Sequence, residues 1–330
     1  MICLIAGGYA EAGAEGLYPL ALADGTLSVG PPAPGIVNVS AGVRLAEGER
    51  WFLVDERAGE VVLVDGAADW RVIARCPSGG EGPCHLALGH ADRTLAVANY
   101  DSGNVEVLAV ETDKAPRPVA THREVGSGPD PERQAGPHAH WVGFGPDGRL
   151  HATDLGTDRV LAFASERLDG AEVVFAAPPG SGPRQIAFHP RKPRAYLVSE
   201  LASTLTVSDR SGPRWVALAT LSTLPRNAPG DSLGGAIAID DAGTRLYVSN
   251  RGHDSVATFA LDDEGNATAI GHVASGGASP RFLLLVGGSL LVAHEQSGGV
   301  SLLPLDGAGR PQPLIARADV PGAAFLGVIG

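Results

Sequence analysis

The chain is poor in lysine and has no cluster of basic residues. Only Lys114 and Lys192 are lysines among 330 residues, and the formal net charge is −12. This charge argues against nucleic acid and anionic membrane as partners. Because the overall field of the protein repels anions, an anionic ligand would have to be held by a local group of arginines.

Cysteines are also scarce. Cys3, Cys76 and Cys84 are odd in number and lack the spacing of a zinc site or a disulfide framework, so we expect small buried apolar residues. The opening MICLIAGGYA has no basic segment typical of a secretion signal, and no apolar run is long enough to span a bilayer. The expected location is therefore the cytoplasm.

One pattern recurs seven times along the chain: a β-rich run, a polar residue, a turn and a second β-rich run. The residue closing the first run is, in order, Gly8, Asp55, Asn99, Asp154, Glu200, Asn250 and His294. A repeat of roughly 40 to 50 residues with alternating apolar positions predicts an all-β fold, a seven-bladed β-propeller with four antiparallel strands per blade. Helical repeats are excluded by the period of two and the Val, Leu and Thr content.

The two chain ends are predicted to complete one blade. VPGAAFLGVIG at the C-terminus has the pattern of an innermost strand with no blade after it, and MICLIAGG has that of a second strand with no first. We therefore expect the terminal strands to share a blade and close the ring. Because no change in composition marks a linker, we expect one domain over residues 1–330.

The directions of the strands predict where the candidate catalytic and binding residues lie. The first and second strands of a blade run in opposite directions, so the start of one and the end of the next share a face. Polar residues of different blades should therefore line one mouth of the central channel, which is a candidate site. The residues expected there are His85, Asn99, His138, His140, Asp154, Arg184, Glu200, Asn250, Arg251, Arg281 and His294.

The pair His138 and His140 has three interpretations. In extended chain both side chains project to the same side, so they could bind a metal with Asp154 or His294 as further ligands. They could instead bond the loop backbone. We favour a third interpretation, in which His140 transfers protons, because imidazole titrates near neutrality.

Arg184 and Arg251 also have two compatible interpretations. They could tie blades together by pairing with a carboxylate such as Asp154 or Glu200. They could also hold a substrate carboxylate or phosphate, or stabilise an oxyanion. A Glu–Arg pair can orient the arginine for the ligand.

GDSLG, residues 230–234, formally matches a nucleophile elbow. That motif needs a strand before the serine and a helix after it. Here LPRNAP precedes and the strand-like GAIAID follows, so we place Ser232 in a loop before a first strand and reject the serine-hydrolase interpretation.

Several stretches resemble the lactonase family of seven-bladed propellers, which contains propeller-type 6-phosphogluconolactonases and carboxy-cis,cis-muconate cyclases. They are RQAGPHAHWVGFGPDGR, DLGTDRVLAF, GSGPRQIAFHP, AYLVSEL and LYVSNRGHDSVATF. The resemblance implies catalytic roles for His140, Arg184, Glu200 and Arg251. It implies substrate contacts for the remaining mouth residues. The family usually has GPRH and NEL where this chain has Gln185 and Ser199, and we expect these departures to alter the substrate alone.

The resemblance thus implies hydrolysis or formation of a lactone without a nucleotide cofactor. We expect hydrolysis of an anionic, sugar-derived lactone without a metal ion. The expected substrate is 6-phosphogluconolactone, of the pentose phosphate pathway. The alternatives are another lactone, such as a muconolactone, and a propeller that only binds a peptide or protein.

Overall fold

The computed structural model describes residues 1–111 and 113–329. The first half of its strands are, in chain order, β1 (Ile2–Gly8), β2 (Tyr18–Ala23), β3 (Thr26–Val29), β4 (Gly42–Arg44), β5 (Arg50–Asp55), β6 (Glu60–Asp65), β7 (Arg71–Pro77), β8 (Pro83–Leu88), β9 (Thr94–Asn99), β10 (Asn104–Ala109), β11 (Arg117–Arg123), β12 (Ala139–Phe144), β13 (Leu150–Asp154) and β14 (Arg159–Phe163). Three short 3-10 helices, Ala10–Ala12, Gly66–Ala68 and His90–Asp92, lie between them.

The second half of the strands are β15 (Glu172–Ala176), β16 (Pro183–Phe188), β17 (Arg194–Ser199), β18 (Thr204–Asp209), β19 (Val216–Ser222), β20 (Leu233–Ile239), β21 (Arg245–Arg251), β22 (Ser255–Leu261), β23 (Ala267–Ala274), β24 (Pro280–Val286), β25 (Ser289–His294), β26 (Val300–Pro304), β27 (Ala316–Ala318) and β28 (Ala323–Val328). Within the described residues, no helix combines the length and apolarity needed to cross a membrane.

The strands of the described residues form seven four-stranded sheets, which are the seven predicted blades. Six sheets follow chain order from β4 to β27, and the seventh has the order β28–β1–β2–β3. In that sheet Leu4 pairs with Val328 and Leu22 pairs with Ile2, so the terminal strands share a blade as predicted.

The chain forms two compact units. The first comprises Met1–Ala14, Tyr18–Pro32 and Gln185–Gly330, and the second comprises Glu15–Leu17 and Ala33–Arg184. The assignment of residues 1–330 to one domain stays a prediction.

Within each unit, the innermost strand of a blade packs on the blade before it. In the second unit β8 contacts β4 and β5, and β12 contacts β8 and β9. In the first unit β20 contacts β17, β24 contacts β20 and β21, and β28 contacts β24 and β25. Middle strands are apolar on both faces, as in the fully buried run Val61–Val64, because a neighbouring blade covers each face.

The three cysteines are free, and their burial differs from the expectation at one position. Cys76 is buried and Cys84 is partly buried, but Cys3 is exposed. The strand position explains this, because Cys3 lies near the beginning of β1, ahead of the continuously buried residues Leu4–Gly8.

Candidate active site

The second strands of the blades end at equivalent residues, and the structure corrects one assignment. The end residue pairs with the residue five positions on, as in Asp55–Glu60, Asn99–Asn104, Asp154–Arg159 and Asn250–Ser255. In the blade of β17 this pair is Ser199–Thr204. Ser199 is therefore the equivalent residue, and the sequence alignment that used Glu200 was wrong by one position. Glu200 corresponds instead to Tyr100, Arg251 and Glu295.

Four of the predicted substrate-binding residues are strand-end residues with almost no exposed surface: Asn99, Asp154, Asn250 and His294. Each side chain forms a hydrogen bond with the backbone of a nearby loop. Asn99 Nδ2 donates to Ser78 O at 3.1 Å, and Asn250 Nδ2 donates to Thr223 O at 2.8 Å. Asp154 Oδ1 accepts from Thr157 N at 2.9 Å, and His294 Nδ1 lies 3.3 Å from Gly299 O. The Asn99 and Asn250 contacts join the second strand to the loop after the fourth strand of the preceding blade, whereas those of Asp154 and His294 stabilise the turns after their own second strands. A contact with substrate stays a prediction for all four.

A β-bulge lies at the start of most first strands. The register omits Cys84 between Pro83 and His85, His140 between Ala139 and Trp141, and Arg281 between Pro280 and Phe282. A bulge leaves the extra residue outside the ladder and redirects its side chain. Arg184 likewise follows a proline, Pro183, at the start of β16, which predicts the same bulge there.

In the second unit, His138 and His140 both contact the ring of Tyr100. His138 stacks on this ring with 4.5 Å between centroids, and His140 meets it edge-on at 5.4 Å. His138 Nδ1 lies 2.9 Å from the Tyr100 carbonyl oxygen, and His138 N donates to Asp154 Oδ1 at 3.1 Å. Arg133 Nη2 donates to the Tyr100 hydroxyl at 3.2 Å. The side chains of Tyr100, Arg133, His138 and His140 are only partly covered, whereas that of Asp154 is buried.

Arg184 is a buried cation in the same unit, with 5% of its surface exposed. Its carbonyl oxygen accepts a hydrogen bond of 2.9 Å from the Thr153 hydroxyl, which fixes the backbone at the start of β16. Burial lowers the pKa of His85 to about 4, and the positive charge of Arg184 adds to this effect. His85 is therefore neutral at pH 7.

In the first unit, Glu200 and Arg251 form a buried ion pair. Glu200 Oε2 lies 2.7 Å from Arg251 Nη2, with 3% and 12% of the two side chains exposed. The same nitrogen donates to Gly234 O at 3.2 Å, and Gly234 N donates to Glu200 O at 2.8 Å. Glycine is required there, because a Cβ at residue 234 would lie 2.8 Å from the Ser199 carbonyl oxygen. The predicted Glu–Arg pair is thus present and links the end of β17 to the end of β21.

Arg281, also in the first unit, lies between an aromatic ring and a carboxylate. Its guanidinium carbon is 5.4 Å from the centre of the Tyr9 ring, and Nη1 donates to Glu295 Oε2 at 3.2 Å. Both partners follow the end of a second strand, as Glu200 does. Arg281 is therefore held by cation–π and ionic contacts.

Gln185, a departure from the family pattern, bonds the backbone of the next blade. Its Oε1 accepts a hydrogen bond of 3.1 Å from Ile237 N. His85, at the same position of its own blade, bonds the backbone of Val142. The residue after the bulge therefore joins neighbouring first strands in both blades, so Gln185 fits a structural position.

Ser232 lies directly before β20, as predicted. Its hydroxyl donates to Arg251 O at 3.1 Å, and its carbonyl oxygen accepts from the Ser203 hydroxyl at 2.8 Å. A strand follows it where a nucleophile elbow has a helix.

Ser232→Ala is expected to keep turnover near that of the wild type, because the hydroxyl only bonds a loop carbonyl. Both proteins should resist covalent serine reagents. Steady-state kinetics and intact-mass analysis after treatment with a fluorophosphonate test this expectation. Stoichiometric labelling of the wild type at Ser232 would contradict it.

The described residues contain no group of three or more His, Cys, Asp or Glu side chains placed to hold a metal ion. In the histidine pair, His138 Nδ1 is already bonded to a backbone carbonyl, which leaves that nitrogen without a lone pair for a metal. The hydrogen-bonding interpretation of His138 is thus present in the structure.

Incubation with EDTA is expected to leave turnover unchanged, because we assign stabilisation of the oxyanion to the guanidinium groups of Arg184 and Arg251, which offer no lone pair to a metal ion. Activity is compared before and after dialysis against the chelator. A loss that zinc or calcium restores would contradict this expectation.

Acid should destabilise the fold through buried histidines. Burial lowers the pKa of His294 from 6.5 to about 4. Between these pH values the imidazole is protonated in the unfolded chain and neutral in the folded protein. The free energy of unfolding should therefore fall as the pH drops from about 6.5 towards 4, with this group contributing about 2 kcal/mol between pH 7 and pH 5. Urea unfolding at several pH values should show a shallower loss in His294→Asn. Equal pH dependence in both proteins would contradict this assignment.

Comparison with known proteins decides the family. The family model described as "Lactonase, 7-bladed beta-propeller" matches residues 3–327. The chain belongs to this lactonase family. The predicted resemblance and the seven-bladed propeller fold are therefore confirmed.

Members of the lactonase family and related structures cover most of the chain. A 6-phosphogluconolactonase from Bacillus subtilis is 29% identical over 347 residues, with 96% of this chain and 95% of the relative covered. An uncharacterised protein from Lactococcus lactis is 37% identical over 231 residues, covering 68% of this chain and 67% of the relative. The structure of a periplasmic gluconolactonase from Pseudomonas aeruginosa has a TM-score of 0.90 at 27% identity, with 100% and 99% of the two chains covered.

Sequence reasoning missed Tyr9, Tyr100 and Glu295 as partners of the predicted lactonase residues. All three directly follow the end of a second strand, one residue beyond the position that the sequence analysis aligned. The structure brings His138 and His140 together through Tyr100, and Glu200 together with Arg251. That these two groups act on one substrate stays a prediction.

Proposed function

We propose that this lactonase-family protein hydrolyses a sugar-derived lactone, with 6-phosphogluconolactone as the substrate. The family assignment and the name of the Bacillus subtilis relative support this proposal. The proposal includes a cytoplasmic location, although one related structure is of a periplasmic enzyme.

The observation that carries the proposal is the state of the Arg251 guanidinium. Glu200 and Gly234 occupy its Nη2 group, while its Nε is buried without a hydrogen-bond partner in the described part of the chain. Leaving a buried donor unsatisfied costs free energy. A substrate oxygen would satisfy this donor, and the ion pair with Glu200 would hold the arginine in place for it.

The proposed mechanism uses His140 as the base. Its imidazole takes a proton from a water molecule as the water oxygen bonds to the lactone carbonyl carbon. Arg184 or Arg251 stabilises the oxyanion that forms, and the other arginine holds the anionic group of the substrate. The ring C–O bond then breaks, and the alkoxide receives the proton that His140 took from water. Because a lactone is an activated ester, a positioned base and charge stabilisation suffice.

The negative net charge of the protein is consistent with giving both the binding and the oxyanion-stabilising role to arginines. With a net charge of −12, long-range attraction cannot collect an anionic sugar lactone. The buried Arg184 and the partly buried Arg251 supply positive charge locally. Arg184 and Arg251 would therefore determine both binding and chemistry.

Substrate choice is tested with three freshly prepared lactones: 6-phosphogluconolactone, unphosphorylated gluconolactone and a muconolactone. We expect kcat/KM to be highest for the phosphorylated sugar lactone, and 6-phosphogluconate to compete at millimolar concentration. Failure of 6-phosphogluconate to compete would contradict the phosphate assignment. Absence of turnover on every lactone would favour the alternative of a binding protein.

A further inference from the structure

We infer that His138 is a second proton-transfer residue of the proposed lactonase, and that the Tyr100 carbonyl holds it in the tautomer this role requires. The inference rests on the proposed hydrolysis. The inference extends the proposed hydrolysis, because it assigns a proton-transfer role to a histidine to which the mechanism above gives none.

The hydrogen bond of His138 fixes the tautomer. A carbonyl oxygen can only accept, so the 2.9 Å contact places the proton of the neutral ring on Nδ1. The lone pair is then on Nε2, which is the proton-accepting atom. A histidine held by its other nitrogen is the usual arrangement of a general base, because the fixed bond sets both tautomer and ring direction.

Three contacts orient the His138 ring. Besides the bond from Nδ1, the ring stacks on Tyr100 at 4.5 Å and 22°, and the backbone N–H donates to Asp154. The ring remains partly exposed, so water and substrate can reach it. Such fixed placement lowers the cost of bringing base and water together.

The charged and titratable neighbours of His138 are few. Asp154 lies on β13, and burial raises the pKa of its carboxyl, which favours its neutral form. Tyr100 follows β9 and His140 lies on β12, while Arg133 reaches the cluster through the Tyr100 hydroxyl. In the proposed reaction His140 accepts the proton from water, and Nε2 of His138 takes that proton from the resulting imidazolium and returns it to the alkoxide, so both imidazoles end neutral.

His138→Asn separates catalysis from packing. The asparagine amide can replace Nδ1 as donor to the Tyr100 carbonyl, but the variant lacks Nε2. We expect Tm to stay close to the wild-type value, kcat to fall about 100-fold and one ionisation to disappear from the pH–rate profile. His138→Gln, which offers a polar atom near Nε2 but does not titrate, should lose a similar factor.

His151→Asn is the matched control. His151 lies at the opposite end of the same β12–β13 hairpin, and its Nδ1 likewise donates to a carbonyl, that of Arg149, at 3.0 Å. This variant should keep wild-type kcat per folded molecule. Nitrogen-15 NMR of the wild type should show His138 protonated on Nδ1.

The failures are distinguishable. A wild type that hydrolyses no lactone would overturn the proposed function. An active wild type with an equally active His138→Asn variant, or with His138 protonated on Nε2 alone, would overturn only the inference about His138.

Discussion

His140→Ala should lower kcat/KM for lactone hydrolysis by about 100- to 1,000-fold, while Tm falls only slightly. His140 is the extra residue of a β-bulge, so its side chain does not take part in strand pairing. Its ring is partly exposed and meets Tyr100 edge-on, a contact worth about 1 kcal/mol. The acid limb of the pH–rate profile should flatten near the histidine range. Kinetics across pH, with thermal melts of the same samples, measure both effects.

The matched control for this variant is His122→Ala. His122 lies in the same unit, is partly exposed and meets Phe163 edge-on at 5.1 Å, so its removal deletes a similar packing contact. We expect this control to match His140→Ala in stability and the wild type in turnover. Equal losses of activity in the two variants would show that His140 is a packing residue.

The Glu200–Arg251 pair should separate stability from catalysis in a double-mutant cycle. Glu200→Gln leaves the Arg251 cation buried without its carboxylate, which should cost about 3 kcal/mol of the free energy of unfolding. Arg251→Gln should lower kcat/KM by about 100- to 1,000-fold, because a charge-stabilising donor is lost. The double variant should regain part of the stability and none of the turnover, since it removes both buried charges.

Urea unfolding and steady-state kinetics on the four proteins of the cycle measure these effects. If the pair only joined β17 to β21, turnover per folded molecule would stay at the wild-type level in all three variants. That result would remove Glu200 and Arg251 from the active site and leave them as a structural link.

The sequence repeat made the fold predictable. The directions of individual side chains could not be predicted from it. Spacing and alternation gave the second strands and the shared terminal blade, because each blade repeats the same buried pattern. The misplacement of Glu200 shows the limit. Ser199 is small and polar and Glu200 is larger and charged, so the alignment chose the more conspicuous residue. A shift of one position changes the face of a strand.

The candidate site was also only partly predictable. The residue types of His140, Arg184 and Arg251 indicated chemistry, and the strand register shows that His140 is the extra residue of a bulge. Their partners could not be found from spacing. Tyr100 contacts both histidines across a blade boundary, and that contact depends on three-dimensional packing rather than on a motif.

The most direct test follows the loss of freshly made 6-phosphogluconolactone in a continuous assay, corrected for spontaneous hydrolysis. The wild type is compared with a variant that carries His140→Ala and Arg184→Gln and whose folding is verified by its melting curve. We expect the wild type to accelerate hydrolysis strongly and the folded double variant to remain near the spontaneous rate. A wild type at the spontaneous rate, or a double variant as fast as the wild type, would contradict the account.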